Sequence, residues 1–162
     1  ERLVKRCNEL GILIDLSHMN EAGFRDVARL STAPLVATHS NAHAICPHAR
    51  NLTDEQLRII ADSDGMVGLN FATAFLRPDG RMIPDVAFET MLRHLDHLIG
   101  ILGETRVGLG SDYDGAVMPE ALATAADLPA LRAAMQHHGY DEALQSRLMC
   151  DNWLSALERI WH

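Results

Sequence analysis

Apolar and polar positions along this chain alternate between a helical and an extended period. In residues 1–10, Leu3, Val4, Cys7 and Leu10 fall at helical spacing. The run "GILIDLSH", residues 11–18, is apolar and β-branched behind Gly11 and reads as a buried strand. Helical spacing returns over about 20–30 through Phe24, Val27 and Leu30, Pro34 ends it, and "LVATHS" is a second strand. Thr53 with Gln56 three residues on has the form of a capping box for a helix over about 54–63. "GMVGLNF" is a third strand. From Pro84 a long helix aligns Phe88, Met91, Leu92, Leu95, Leu98, Ile99 and Leu102 on one stripe and stops at Gly103. "RVGLGSDYDG" is a fourth strand; Asp127 then caps a helix with Pro129 in its first turn, ending at Gly139. A last helical stretch, about 141–161, carries Leu144, Leu148, Trp153, Leu157 and Ile160.

Strands alternating with helices imply an α/β fold with a parallel sheet covered by helices. An open doubly wound sheet and part of a (β/α)8 barrel both satisfy the pattern. No GxGxxG or GxxxxGK[ST] follows a strand, which removes the usual nucleotide-binding reasons for an open sheet.

Composition narrows the partners. The 162 residues suit one domain, and 48% hydrophobic with 22% charged residues is the balance of a soluble globular protein. A net charge of -8 leaves no basic patch to neutralise phosphates, which excludes a nucleic-acid binder. No apolar run approaches the ~20 residues that span a bilayer. Cys7, Cys46 and Cys150 are odd in number and widely spaced, so a reducing compartment, the cytoplasm, is expected. The chain opens at Glu1 on a helix already in progress, which reads as a cut or processed end.

The chemistry collects at strand ends. His18 closes the first strand, His39 the second and Asp112 the fourth. In a parallel barrel those ends share one rim, where active sites sit. Two imidazoles from neighbouring strands suit zinc, although a catalytic zinc takes about three protein ligands; the plainer reading is a histidine that caps a strand. Gly108 and Gly110 share the parity of Asp112 and would leave room above the barrel core. Asp112 can shuttle a proton or hold a substrate ammonium, or can be an Asx-turn residue. Arg50 can clamp a carboxylate with two parallel hydrogen bonds, or be solvated. His43, Cys46 and His48 have no zinc-ligand spacing and read as loop structure, and His94, His97, His137 and His138 as helix residues.

Together "GILIDLSHMN", "ATHSNAHAICPHARNLTDEQL" and "VGLGSDYDG" resemble the membrane (renal) dipeptidase family of zinc peptidases, M19, and the resemblance runs to "DNWLSALERIW". The spacings, 21 from His18 to His39 (39 − 18) and 11 from His39 to Arg50 (50 − 39), are those expected of the family. The resemblance implies a (β/α)8 TIM-type barrel with two zinc ions hydrolysing dipeptides. His18 and His39 would bind the second zinc, Arg50 would bind the substrate carboxylate, and Asp112 would contact substrate and assist proton transfer. The family's HxD pair and bridging glutamate have no counterpart here. Residues 1–162 are therefore expected to be the C-terminal half: about the last four βα units plus a C-terminal helix. Such a segment should be inactive alone and should associate with an N-terminal half or with copies of itself. The alternatives are a binuclear amidohydrolase acting on a non-peptide amide or lactam, and a catalytically silent half-barrel that binds a partner.

Overall fold

The computed structural model describes residues 1–161; His162, the end of the predicted 1–162 segment, lies outside them. Its sheet has three parallel strands in chain order: β1 (Val36–Ala37), β2 (Met66–Leu69) and β3 (Val107–Leu109). Val36 pairs with Met66, and residues 67–69 of β2 pair with residues 107–109 of β3. All three strands are shorter than their apolar runs. The first predicted strand, 11–18, contributes one parallel bridge, Asp15 to Val36. One residue pair beyond it, the Asp15 carboxylate takes the Thr38 amide at 2.9 Å and also the Ser17 amide at 2.9 Å. A side chain therefore occupies the donors that a longer ladder would need.

Helices α1 (Arg2–Glu9), α2 (Glu21–Leu30) and α3 (Asp54–Asp62) fall where the periodicity places them. Asn20 caps α2, and the Thr53–Gln56 capping box is formed on both sides. A short helix, α4 (Thr73–Leu76), follows β2 and was not marked by the pattern. The long helix α5 (Phe88–Leu102) starts four residues after Pro84, whose carbonyl instead accepts from the Glu120 amide. Asp127 does not cap α6 (Leu128–His138): its carboxylate turns back to accept from the amide and hydroxyl of Thr124. The final helical stretch is three pieces: α7 (Glu142–Ser146), a π turn over Arg147–Asp151, and α8 (Asn152–Ile160).

Each face of the sheet is covered, as a parallel sheet requires. Ala37, Val67, Leu69 and Val107 join the main core with Leu57 and Ile60 of α3 and Leu95 and Leu98 of α5. On the opposite face Val36 and Met66 cluster with Ala156 and Ile160 of α8, with Leu13 and Trp153 against them. The indole N–H of Trp153 donates to the Leu109 carbonyl at 2.9 Å. The space expected above Gly108 and Gly110 is therefore filled. A Cβ at Gly108 would meet the Trp153 ring at 2.6 Å, and one at Gly110 would lie 1.9 Å from the Thr38 carbonyl oxygen. The bare Gly110 lets the chain just past β3 approach the segment just past β1.

His94 ties the core to the loops. It is fully buried on α5, donates from Nε2 to the Leu76 carbonyl at 3.0 Å, and accepts the Ala42 amide at Nδ1. Both ring nitrogens are matched to the neutral form, and burial pushes its pKa down to about 4.

Candidate functional site

His18, His39, Arg50 and Asp112 converge at the carboxyl ends of the strands. Two of the four, His18 (φ 69) and Asp112 (φ 67), stand in the left-handed region, which costs a non-glycine residue on the order of 1–2 kcal/mol and clusters at functional sites. The turned backbone re-aims each side chain at the point where its strand stops.

The two imidazoles meet tip to tip, with Nε2 to Nε2 at 3.0 Å. Their tautomers follow from the partners. Asp15 is an acceptor: it takes the Thr38 hydroxyl at 2.5 Å in addition to the two amides. The Thr38 oxygen is then left to accept Nδ1–H of His39 at 2.7 Å, so His39 presents a lone pair at Nε2. The 3.7 Å separation of His39 and Asp15 is thus bridged by a hydroxyl and is not a direct ion pair. The pKa of His39 is lowered by burial first and by the Arg50 charge second, against the pull of Asp15 and Asp112, which keeps the ring neutral.

Arg50 is half-buried and reaches inward from a closed loop. The bridge from Ala42 to Leu52 pins the loop ends, and the buried Asn51 amide holds the Cys46 and Phe75 carbonyls. The guanidinium donates to His18 Nδ1 at 3.1 Å, to Ser40 Oγ at 3.0 Å and to the His39 carbonyl at 3.0 Å, and lies over the Phe75 ring at 5.6 Å. Burial lowers its pKa and the charges of Asp112 and Asp15 raise it. The His48 ring packs tilted against Phe75, and Cys46 is buried with its thiol toward the Ala74 carbonyl. A cavity of about 600 Å³ opens beside Arg50 and His18, lined also by Met19, Phe24, His48 and Gln56.

Asn70 is the residue that the sequence reading passed over. It is fully buried, and its Nδ2 donates to Asp112 Oδ2 at 3.0 Å and to the His39 carbonyl at 3.3 Å. Asn41 in turn accepts the Asn70 amide and donates to its carbonyl. Asn70 ends the third apolar run just as His18, His39 and Asp112 end theirs, and that shared position was the signal available.

The histidine pair fits a metal in part. Nitrogens about 2.05 Å from one tetrahedral zinc stand about 3.3 Å apart, close to the 3.0 Å observed. Among the described residues no group of three or more His, Cys, Asp or Glu side chains could hold a metal ion, so the pair is at most two ligands of a larger set. No helix of the described residues is long and apolar enough to cross a membrane.

Comparison with known proteins identifies the family and the fold. The sequence profile described as membrane dipeptidase (peptidase family M19) matches residues 1–161. An uncharacterised protein in the pqqA 5′ region of Klebsiella pneumoniae is 52% identical over 98% of this chain and 59% of its own length. A metallo peptidase from Rhodobacter sphaeroides, solved with a phosphinate mimic of the dipeptide L-Ala-D-Ala, superposes with a TM-score of 0.98 at 62% identity, over 99% of this chain and 46% of that one. The probable dipeptidase PvdM from Pseudomonas aeruginosa shares the fold at a TM-score of 0.92 and 23% identity. The chain thus spans about half the length of the relatives it matches.

Proposed function

Starting from the fact that this chain belongs to the membrane dipeptidase family, peptidase family M19, with its (β/α)8-type fold, we propose that residues 1–162 are the C-terminal half of a zinc-dependent dipeptidase barrel. His18 and His39 hold one zinc of a two-zinc centre, and Arg50 and Asp112 handle the dipeptide. The approach of the two Nε2 atoms to 3.0 Å carries this reading.

Zinc, when bound, supplies Lewis-acid polarisation of the scissile carbonyl. The chain's own residues do the rest. Three of the five N–H donors of Arg50 are held by His18, Ser40 and His39. The remaining two clamp the C-terminal carboxylate of the dipeptide and fix its register. Asp112 keeps Oδ2 on Asn70, while Oδ1 takes a proton from the water that adds to the scissile carbonyl and passes it to the amine nitrogen as the C–N bond breaks. The cavity beside Arg50 is of small-molecule size and receives substrate side-chain atoms.

The HxD pair and the bridging glutamate come from an N-terminal half, and without them the segment does not hydrolyse peptides. Ile12, Leu154 and Trp161 are exposed apolar surface that such an association would cover. The free thiols of Cys7, Cys46 and Cys150 suit the cytoplasm. The dipeptide mimic seated in the Rhodobacter relative supports a peptide over a lactam or other amide.

The test is zinc stoichiometry and affinity of the purified protein beside His18→Ala and His39→Ala, with Ala-D-Ala hydrolysis measured in parallel. Each substitution is expected to weaken zinc binding by at least about 10-fold. Zinc binding indifferent to both would overturn the assignment.

A further inference from the structure

We infer that Asp15 and Thr38 are positioning residues that set the tautomer of His39 and thereby make its Nε2 a metal ligand. The inference rests on the reading of His39 given above and adds two residues to it.

The chain of hydrogen bonds has one consistent direction. The Asp15 carboxylate accepts at Oδ1 from the Ser17 and Thr38 amides and at Oδ2 from the Thr38 hydroxyl. Three donors converge on it, so it has no proton to give. The Thr38 hydroxyl has a single hydrogen, spent on Asp15, and can only accept from His39 Nδ1 at 2.7 Å. The proton is therefore on Nδ1 and the lone pair on Nε2. A neutral imidazole binds a metal through its unprotonated nitrogen, and the hydrogen bond at the other nitrogen decides which one that is. Here a hydroxyl stands between carboxylate and imidazole, which keeps the acidic charge 3.7 Å from the ring. The Ser17 hydroxyl holds the His39 backbone amide at 3.1 Å, so backbone and ring are fixed by adjacent residues of the same two segments.

Asp15→Asn makes the prediction sharp. It replaces one acceptor oxygen by an NH2 donor of the same shape while the remaining oxygen still serves the two amides. The Thr38 oxygen would accept from that donor, turn its own hydrogen toward His39 Nδ1, and drive the ring proton to Nε2. Thr38→Val removes the bridge without reversing it, and Thr38→Ser keeps it.

The experiment reads the ring nitrogens of His39 by long-range 15N–1H correlation in the metal-free protein, and the zinc dissociation constant by chelator competition, in wild type and the three variants, with His39→Ala as reference. Expected are an Nδ1–H ring in wild type and Thr38→Ser and an Nε2–H ring in Asp15→Asn. Zinc binding should weaken by about 10- to 100-fold in Asp15→Asn, less in Thr38→Val, and stay unchanged in Thr38→Ser. If His39→Ala loses zinc while Asp15→Asn keeps the wild-type tautomer and affinity, the positioning role falls and the ligand assignment stands. If His39→Ala itself binds zinc as wild type does, both fall together.

Discussion

Arg50 Nε donates to Nδ1 of His18 at 3.1 Å, the ring nitrogen opposite the one that faces His39. A side chain proposed to hold the substrate carboxylate is thus braced against a side chain proposed to hold the metal. This bond leaves the His18 proton on Nε2, so ligation at Nε2 requires Arg50 to release Nδ1, which frees a third donor toward substrate.

Lysine cannot reproduce a planar fork that spans three acceptors and still presents two N–H groups. For Arg50→Lys in a barrel completed by the N-terminal half, KM for a dipeptide is expected to rise about 100-fold, equivalent to about 2.7 kcal/mol of lost carboxylate binding, with a smaller change in kcat. Steady-state kinetics with the dipeptide and with its C-terminal amide check this, because the amide should discriminate little between wild type and variant.

Asn70 should matter through Asp112 without touching the metal. Asn70→Asp deletes the donor to Asp112 Oδ2 and sets two carboxylates where an amide and a carboxylate stood 3.0 Å apart. In a barrel completed by the N-terminal half the expected loss in kcat/KM is about 10- to 100-fold, the worth of a hydrogen bond to a charged group. Zinc affinity measured on the same protein should stay within a factor of about two.

Acid stability should report on His94. Its folded pKa, about 4, lies below the unfolded value of 6.5, so the unfolded chain takes up a proton that the folded ring refuses. The contribution is fully present above pH 6.5 and is lost as pH falls toward 4, roughly 3 kcal/mol at full extent. Denaturant unfolding between pH 4 and 7 is expected to show this slope in wild type beyond that of His94→Gln, and equal slopes would contradict it.

Two glycines make a controlled pair. Gly110→Ala places a methyl 1.9 Å from the Thr38 carbonyl oxygen, whereas at Gly100, exposed on α5, a Cβ meets nothing within 4 Å. The first is expected to destabilise by about 3 kcal/mol, visible as a fall in Tm of about 10 °C, and the second to stabilise by about 0.5–1 kcal/mol through helix propensity. Thermal unfolding followed by circular dichroism separates them.

What the sequence made legible follows from which contacts are local. His18, His39 and Asp112 could be picked out because each is the polar residue that ends an apolar run. Asn70 carries the same mark, but an asparagine suggests no ligand chemistry on its own. Asp15 and Thr38 could not be read: their roles depend on how residue 15 registers against residue 38, and inter-strand register is not written in either segment. The capping box at Thr53 was legible because both partners lie within one turn, while Asp127 misled because Thr124, three residues earlier, offered its carboxylate two donors. The inner face was misjudged for a similar reason. Gly108 and Gly110 look like vacant space until Trp153, more than forty residues away in sequence, is laid over one and Thr38 over the other.

That covering sets where this scaffold has freedom to diverge. The layer of Thr38, Gly68 and Gly110 lies beneath Asn70 and Asp112, and Met66, Gly108 and Trp153 lie beneath that layer. The layer directly beneath the site has backbone against backbone, with no side chain there to trim. A descendant of this protein that adopts a bulkier ligand gains no depth by substitution below the site. It must change the rim loops instead, and variation in ligand preference among its relatives should map to those loops while the strand interiors stay the same.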